Sequence, residues 1–288
     1  MARPMTPAEK TAYSAAFPAL NVNNAVVTGE ATPVYNCLAW TLGITNAWVW
    51  PGKNEADFDR LYNGAGFVRA ANGPIAAWGY SAGEMTHGSI SGPGHGPRWE
   101  SKCGQGLRFQ HGLTELETAP NVGAKYGKVR YFYAPRRRTL ASLVATIIAR
   151  LRMQSLSKQI PESYRAAVAQ AAANLHPGIR EEFMQHYRQW REGWSSEAIA
   201  LSSDPAVVRS LPGFEELRSM GPEIVPLVME RLLKPEEFFA LQLYDVLHGD
   251  GVSAEAMPVE YLFGGEQLRA RLTVEAWLAG RARRGLAT

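Results

Sequence analysis

Residues 32–43 of the chain read TPVYNCLAWTLG, and this stretch decides how the first half of the fold begins. Pro33 favours an extended backbone for the residue that precedes it. The apolar run CLAWTL, residues 37–42, predicts a short helix, and Gly43 is a typical residue just beyond a helix end. The pattern therefore places Cys37 in the first turn of a helix.

A cysteine in this position is favoured as a nucleophile. The N–H groups of a first helical turn are unpaired and carry partial positive charge, which stabilises a thiolate. The thiolate is the reactive form, and the same N–H groups, with the side chain of Asn36, can stabilise an oxyanion. We therefore predict that Cys37 is a nucleophile; the alternative is a small buried apolar residue, which is a common role of free cysteine.

Composition limits the environment and the class of partner. Two cysteines, Cys37 and Cys103, among 288 residues are too few for a disulfide scaffold, so reduced thiols and a cytoplasmic location are expected. Residues 1–18 lack the apolar segment of a secretory signal peptide. Export by a specialised secretion system that does not require such a signal is still compatible with the sequence. No apolar run reaches the roughly 20 residues of a membrane span, so no membrane contact is expected.

The sequence predicts neither nucleic acid nor a cofactor as a ligand. A net charge of +3 is too small to indicate nucleic-acid binding, and the arginine run at 136–138 is interpreted as solvated. No glycine-rich phosphate-binding motif opens a helix after a strand. The two cysteines and six histidines lack the spacing of a metal site, so we expect no metal.

The two halves of the chain differ in kind, which predicts two domains of the usual size. Residues 1–135 are rich in glycine, proline, asparagine and aromatic residues, whereas residues 139–288 are rich in alanine, leucine, glutamate and arginine at helical spacing. The break falls at APRRR, residues 134–138. We predict an α+β domain followed by an all-α domain.

Short apolar runs in the first half predict four strands, at residues 74–80, 85–91, 98–103 and 128–133. The second and third should pair as a hairpin across the loop at 92–97, and residues 57–64 should form a helix. Periodicity in the second half predicts helices at residues 140–153, 161–174, 179–194, 213–219, 222–233, 235–247, 254–262 and 265–284.

A cysteine nucleophile needs a base, and His87 is the preferred candidate because a strand holds its ring rigidly. His111 is a reserve candidate. The hairpin brings Glu100 and Ser101 beside His87, and either could orient the imidazole. A carboxylate is the stronger choice on chemical grounds. A one-residue change of register reverses the facing side chain, so both candidates stay open.

These residues resemble the papain-like superfamily of bacterial cell-wall amidases and peptidases, which includes the CHAP-type amidohydrolases. That fold has a cysteine at the start of a helix, then a histidine on a strand, and then a polar residue on the next strand. The chain also resembles an uncharacterised bacterial family in its motifs YNCLAWTLG (35–43), WVWP (48–51), TH (86–87), WESKCG (99–104), His111 and YGK (126–128). The resemblance implies a Cys-bearing helix packed on a small antiparallel sheet, with Tyr35 and Asn36 on the oxyanion or substrate side.

The resemblance implies a thiol hydrolase that cleaves an amide or isopeptide bond through a Cys37 acyl-enzyme. An antibacterial effector is one setting that fits. The expected partners are a peptide or amide-bearing substrate and a protein, such as an inhibitor or an assembly partner, that binds the helical domain. Two alternatives stay open: a non-catalytic binding or scaffold protein with a relic papain-like domain, and an acyltransferase that uses the same cysteine.

Overall fold

One antiparallel sheet organises the first half of the chain. The computed structural model describes residues 2–92, 96–121, 124–137, 139–156, 160–249, 252–253 and 256–285. Within them the sheet has eight strands in the order β1-β2-β7-β6-β5-β4-β8-β3. The strands are β1 (Arg3–Pro4), β2 (Val26–Gly29), β3 (Phe67–Ala70), β4 (Ile75–Ser81), β5 (Glu84–Gly92), β6 (Gly96–Lys102), β7 (Arg108–His111) and β8 (Lys128–Pro135).

Helices accompany the sheet and make up most of the second half, so the fold class is α+β. The first half contains α1 (Pro7–Ala16), α2 (Cys37–Thr41) and α3 (Glu55–Ala65). The second half contains α4 (Leu140–Leu156), α5 (Glu162–Ala173), α6 (Pro177–Gly193), α7 (Glu197–Ala200), α8 (Phe214–Ser219), α9 (Val225–Leu232), α10 (Leu241–His248) and α11 (Gly265–Arg283). In the described part of the second half, four 3₁₀ segments connect them: Pro205–Ser210, Pro222–Ile224, Pro235–Ala240 and Val259–Gly264.

The elements predicted around Cys37 and His87 are confirmed. Helix α2 begins at Cys37 and is followed by Gly43, whose φ of +69° is the left-handed conformation that glycine adopts readily. Strands β5 and β6 pair as a hairpin with Ile90 opposite Glu100. The predicted turn at 92–97 includes residues 93–95, which lie outside the described residues, as do Arg138 of the arginine run and residues 254–255 of one predicted helix.

Of the described elements, four strands and the helices α1 and α7 were not predicted from the sequence, and α7 has only four residues. Strands β1, β2, β3 and β7 have two to four residues each, too few to show a period. Helix α1 could have been predicted, because Thr6 and Glu9 have the spacing of a capping box. In the structure each of these side chains accepts a hydrogen bond from the backbone N–H of the other residue.

Both faces of the sheet are buried. Ile75 and Ala77 of β4 belong to a core shared with α2, α3 and the second half, whereas Ala76 and Trp78 belong to a second core under α1. This explains why β4 has a continuous apolar run rather than an alternating pattern. A site on this sheet is therefore shielded from solvent on either side.

The sheet half (residues 1–135) and the helical half (139–288) share the larger core. Trp48 lies at the junction, where its ring centroid is 5.5 Å from those of both Phe238 and Phe239. Its backbone N–H donates to Gln267 at 2.9 Å, and its indole Nε1 donates to the Ser203 carbonyl at 2.9 Å. The change in composition at 135–139 thus separates sheet from helices, while the core continues across it. Among the described residues, no helix combines the length and apolarity that a membrane crossing requires.

Asn36 supplies a test of how α2 is anchored. Its Oδ1 accepts from the N–H groups of Ala39 and Val49, both at 3.2 Å, and its Nδ2 donates to the Val49 carbonyl at 2.8 Å. We expect Asn36→Ala to lower the free energy of unfolding by about 3 kcal/mol, because it removes a cap and leaves buried polar groups unpaired. Urea denaturation measures this loss.

Asn54→Ala is the matched control, because Asn54 is exposed and caps α3 through Asp57. Its loss should be about 1 kcal/mol. Equal losses for the two variants would contradict the special role of Asn36.

Candidate active site

Cys37 is fully buried at the start of α2. Its sulfur lies 3.0 Å from the hydroxyl of Ser203, and the backbone N–H groups of Gly88 and Leu38 lie close to it. Burial raises the pKa of the Cys37 thiol to about 11, and these polar groups offset only part of that effect. In this closed arrangement the thiol is therefore protonated at neutral pH.

His87 lies on β5, directly before Gly88, and is also fully buried. Its ring stacks on Tyr126 with centroids 3.9 Å apart and planes 13° apart, and it meets Trp78 edge to face at 6.0 Å. Burial lowers the pKa of His87 well below its usual value, and the proximity of His111 adds to the effect. The packed rings hold a neutral imidazole in one orientation.

A buried polar relay connects His87 to three further side chains. The Ser101 hydroxyl lies at its centre: it is 2.9 Å from Nε2 of His87, 2.8 Å from Nε2 of His111 and 2.8 Å from the hydroxyl of Ser89. His111 is anchored at its other nitrogen, since Nδ1 lies 2.7 Å from the carbonyl oxygen of Gly112. All four side chains of this relay are fully buried.

The chemistry of these groups assigns the protons. A carbonyl oxygen only accepts, so Nδ1 of His111 carries the hydrogen and its Nε2 is a bare acceptor. Burial lowers the pKa of His111 to about 4, which keeps it neutral. Ser101 must then donate its single proton to His111 and accept hydrogen bonds from Nε2–H of His87 and from Ser89.

The relay leaves His87 in a defined tautomer. Because Nε2 carries the hydrogen, Nδ1 has a free lone pair, and among the described residues it has no hydrogen-bond partner although it is buried. The sulfur of Cys37 lies near the N–H of the adjacent residue, Gly88, and makes no hydrogen bond with His87 in this closed arrangement. The arrangement thus combines a buried thiol, an imidazole with one unused basic nitrogen, and a polar group that fixes its other nitrogen.

Of the two residues proposed to orient the imidazole, Ser101 bonds to His87. Glu100 is the neighbouring residue on β6, and adjacent strand residues point to opposite faces of a sheet. The Glu100 carboxylate accepts from Thr28 at 2.6 Å and forms an ion pair with Arg108 at 2.9 Å. The preference for Glu100 on chemical grounds is therefore not supported by the geometry, because the strand register turns the smaller residue toward the histidine.

The other predicted site residues have structural contacts. Asn36 caps α2 and donates through Nδ2 to Val49, so this amide supports the helix rather than an open oxyanion site. The Tyr35 hydroxyl accepts from Arg108 at 3.4 Å. His111 does not fill the place of a reserve base, because both of its nitrogens are engaged in the relay.

Sequence reasoning missed Ser203, Tyr126 and Lys102. Ser203 lies 166 residues beyond Cys37, and no local pattern could have connected them. Lys102 lies in the WESKCG motif, and its buried Nζ donates to the carbonyls of Thr32 at 3.0 Å and Gly104 at 2.6 Å. Burial lowers the pKa of Lys102 to about 7. This residue therefore links the extended segment before Cys37 to the end of β6.

A cavity of about 1190 Å³ opens beside Tyr126. Met85, Thr86 and Tyr126 line it from the sheet half, and Leu201 and Ser202 line it from the helical half. In the described part of the chain, no group of three or more His, Cys, Asp or Glu side chains is arranged to hold a metal ion.

Residues 26–134 match a protein family described as a domain of unknown function, DUF7689. The match begins at the first residue of β2 and ends within β8, so it contains α2 and the whole His87–Ser101–His111 relay. No curated protein and no solved structure matches the chain.

The buried histidines predict a specific pH dependence of stability. The folded-state pKa values of His87 and His111 lie below the unfolded value of about 6.5, so the folded state stays neutral while the unfolded state gains protons. Stability should fall as the pH drops below about 6.5 and, for His111, continue to fall until about pH 4. Each histidine contributes up to about 1.4 kcal/mol per pH unit.

His111→Gln keeps a hydrogen-bonding side chain but removes one of the two titrations. Urea denaturation at pH 6.5, 5.5 and 4.5 should give a shallower loss of stability for this variant. His186→Gln, on α6 outside the relay, should keep the slope of the unsubstituted protein. Equal slopes for all three proteins would refute the buried neutral state of His111.

Proposed function

We propose that the sheet half is a papain-like thiol hydrolase that cleaves an amide or isopeptide bond through a Cys37 acyl-enzyme. The observation that carries the proposal is the tautomer of His87, whose Nε2–H is held by Ser101 while its basic Nδ1 is unused. A general base for a cysteine needs this state. The order of a Cys-bearing helix, a His-bearing strand and an orienting residue on the next strand also agrees with the papain-like resemblance.

The reaction would proceed in two steps, acylation of Cys37 and hydrolysis of the acyl-enzyme. Among the residues that the resting structure describes, Nδ1 of His87 has no hydrogen-bond partner, so opening of the site must first bring the Cys37 thiol and the imidazole into contact. The Cys37 proton then passes to Nδ1 of His87 as the sulfur attacks the carbonyl carbon, and the imidazolium protonates the leaving nitrogen as the C–N bond breaks. The product of this step is a thioester on Cys37. Water then attacks the thioester and His87 accepts a proton from it. As the C–S bond breaks, the imidazolium returns that proton to the sulfur, which releases a carboxylic acid and restores the thiol and the neutral imidazole.

The surroundings of His87 suit a charge that forms only during the reaction. When the ring is protonated, its Nε2–H remains bonded to Ser101, and the face of Tyr126 lies against the cation. At rest, burial favours the neutral thiol and the neutral imidazole. The pair would therefore become active when water or substrate enters and reduces the cost of charge separation.

A binding function of the helical half is the second candidate, and one surface feature favours it. Helix α4 exposes large apolar side chains, including Leu140 (77% exposed), Ile148 (59%) and Leu151 (61%). Exposed apolar patches commonly mark interaction sites. Such a surface would suit a protein partner, such as an inhibitor of an antibacterial effector, and needs no catalysis by Cys37.

Alkylation of Cys37 by iodoacetamide tests the proposed base. We expect His87→Ala to slow labelling of Cys37 at pH 7 at least tenfold, because the imidazole no longer accepts the thiol proton. The rate for the variant should rise about tenfold per pH unit below the thiol pKa, whereas the unsubstituted protein should have a flatter profile. Peptide mass spectrometry follows Cys37 and Cys103 separately.

His186→Ala is the control and should leave both the rate and the profile unchanged. Ser101→Ala should give an intermediate rate, since it keeps the base but loses its orientation. Identical profiles for His87→Ala and the unsubstituted protein would overturn the proposed function.

Oxygen-18 water distinguishes a hydrolase from an acyltransferase. A library of peptides blocked at both ends, incubated with the protein, should yield fragments whose new terminal carboxylate carries one heavy oxygen, because water resolves the thioester. Cys37→Ala should yield none. Conjugates between peptides, without incorporation of heavy oxygen, would instead identify a transferase.

A further inference from the structure

Residues 200–204, which we call the strap, cross the sheet half beside Cys37. The strap begins at Ala200, the last residue of α7, and ends where the 3₁₀ segment Pro205–Ser210 begins. Ser203 is 1% exposed, and its hydroxyl makes the 3.0 Å contact with the Cys37 sulfur. The strap therefore occupies the space over the thiol that a substrate would need.

The sheet half holds the strap mainly by its backbone. The carbonyl of Ala200 accepts from the N–H of Gln105 at 2.6 Å, and the carbonyl of Leu201 accepts from the Tyr126 hydroxyl at 2.7 Å. The carbonyl of Ser203 accepts from Nε1 of Trp48 at 2.9 Å. Main-chain bonds of this kind, combined with a pocket for one side chain, are typical of the recognition of an extended peptide.

Two glycines allow the strap to lie this close. A Cβ atom at Gly104 would lie 2.4 Å from the Ala200 carbonyl oxygen and 2.6 Å from the Leu201 carbonyl carbon. A Cβ atom at Gly106 would lie 2.7 Å from Leu201 Cδ2. Close approach of one backbone to another is a known use of glycine. Gly104 and Gly106 thus form the floor of a groove whose depth matches a peptide backbone.

The 1190 Å³ cavity borders this groove, because Gly106 and Tyr126 line it together with Leu201 and Ser202 of the strap. The charged side chains that line this cavity have mixed signs: Lys53, Lys125, Arg209, Glu84, Glu197 and Asp204. Two of these side chains already form an ion pair, since Nζ of Lys53 lies 2.7 Å from Oδ2 of Asp204. Mixed charge beside apolar walls fits a peptide with varied side chains better than it fits a polyanion.

We propose that the groove formed by Trp48, Gly104–Gly106 and Tyr126 is a binding site for an extended peptide, and that the strap occupies it as an intramolecular ligand. The inference rests on the proposed function, for which it names the substrate class and a means of regulation. A peptide in trans would replace the carbonyl contacts of the strap and present a small residue beside Cys37. Nε1 of Trp48 would then donate to the peptide instead of Ser203.

The protonation of the site agrees with this occupancy. With the strap in place, burial raises the pKa of Cys37 and lowers that of His87, which keeps both groups neutral. Release of the strap would admit water to both groups and move each pKa back toward its usual value. Occupancy of the groove and reactivity of the thiol are thus coupled.

Tyr126→Phe is the first test, because it removes the donor to the Leu201 carbonyl and keeps the ring that stacks on His87. We expect iodoacetamide to label Cys37 roughly fivefold faster, as the loss of one buried hydrogen bond favours the open strap. Tyr80→Phe is the matched control: its hydroxyl, on the same cavity, donates to Ala119 and not to the strap. Equal rates for both variants and the unsubstituted protein would overturn the inference.

The second test uses the full chain with residues 201–204 replaced by glycine (L201G, S202G, S203G and D204G) and a blocked synthetic peptide of residues 200–205, ALSSDP. We expect labelling of Cys37 at least tenfold faster than in the unsubstituted protein, and millimolar peptide should reverse most of that increase. A scrambled peptide should not protect. Faster labelling that the ALSSDP peptide leaves unchanged would overturn the peptide-binding site.

Failure of the inference and failure of the proposed function are distinguishable. Peptide protection of the glycine variant, with no effect of a further His87→Ala substitution, would support the groove and overturn the catalytic proposal. If His87→Ala slows labelling of Cys37 but the strap substitutions do not change it, the catalytic proposal is supported and the peptide-binding groove is overturned. If the glycine variant does not fold, as judged by its circular dichroism melt, the Tyr126→Phe comparison decides the inference.

Discussion

The arrangement of the candidate site depends on the single proton of the Ser101 hydroxyl. His111 is fixed by the Gly112 carbonyl and accepts that proton, so Ser101 can only accept from His87. One acceptor-only carbonyl thus sets the tautomer of a histidine two hydrogen-bonded groups away. Such a chain must be complete to be stable, because a buried polar group without a partner costs about 1–3 kcal/mol. The unused Nδ1 of His87 is the group in the relay for which the described structure provides no partner.

Burial on both faces of the sheet makes this relay possible and also makes the site inaccessible at rest. The relay and the rings of Trp78 and Tyr126 lie on the face packed under α1, while α2 packs on the face shared with the helical half. The sulfur of Cys37 lies near the N–H of Gly88, the residue after His87. Ser203 then covers the sulfur. A helical half that covers the thiol has a direct role in the proposed function, which composition alone did not suggest.

Local patterns predicted the elements but not the side that each residue faces. The helix at Cys37 follows from six consecutive residues and a glycine, and the hairpin of β5 and β6 follows from two short apolar runs. The choice between Glu100 and Ser101 depended on register, because side chains alternate along a strand and a shift by one residue exchanges them. Strand β7, which supplies His111 to the relay, has only four residues and forms by pairing with β2 and β6.

By itself, the sequence determined an α+β chain with a cysteine at a helix start, a histidine on a strand, and a change from sheet to helices near residue 135. These features are local, because helix caps, apolar runs and turns act over a few neighbouring residues. Only the tertiary structure decided that Ser101 orients His87, that His111 fixes the tautomer, and that Ser203 lies on the thiol. Each of those contacts joins side chains from separate elements, up to 166 residues apart. Such contacts arise from the packing of the whole core, to which no short stretch of sequence corresponds.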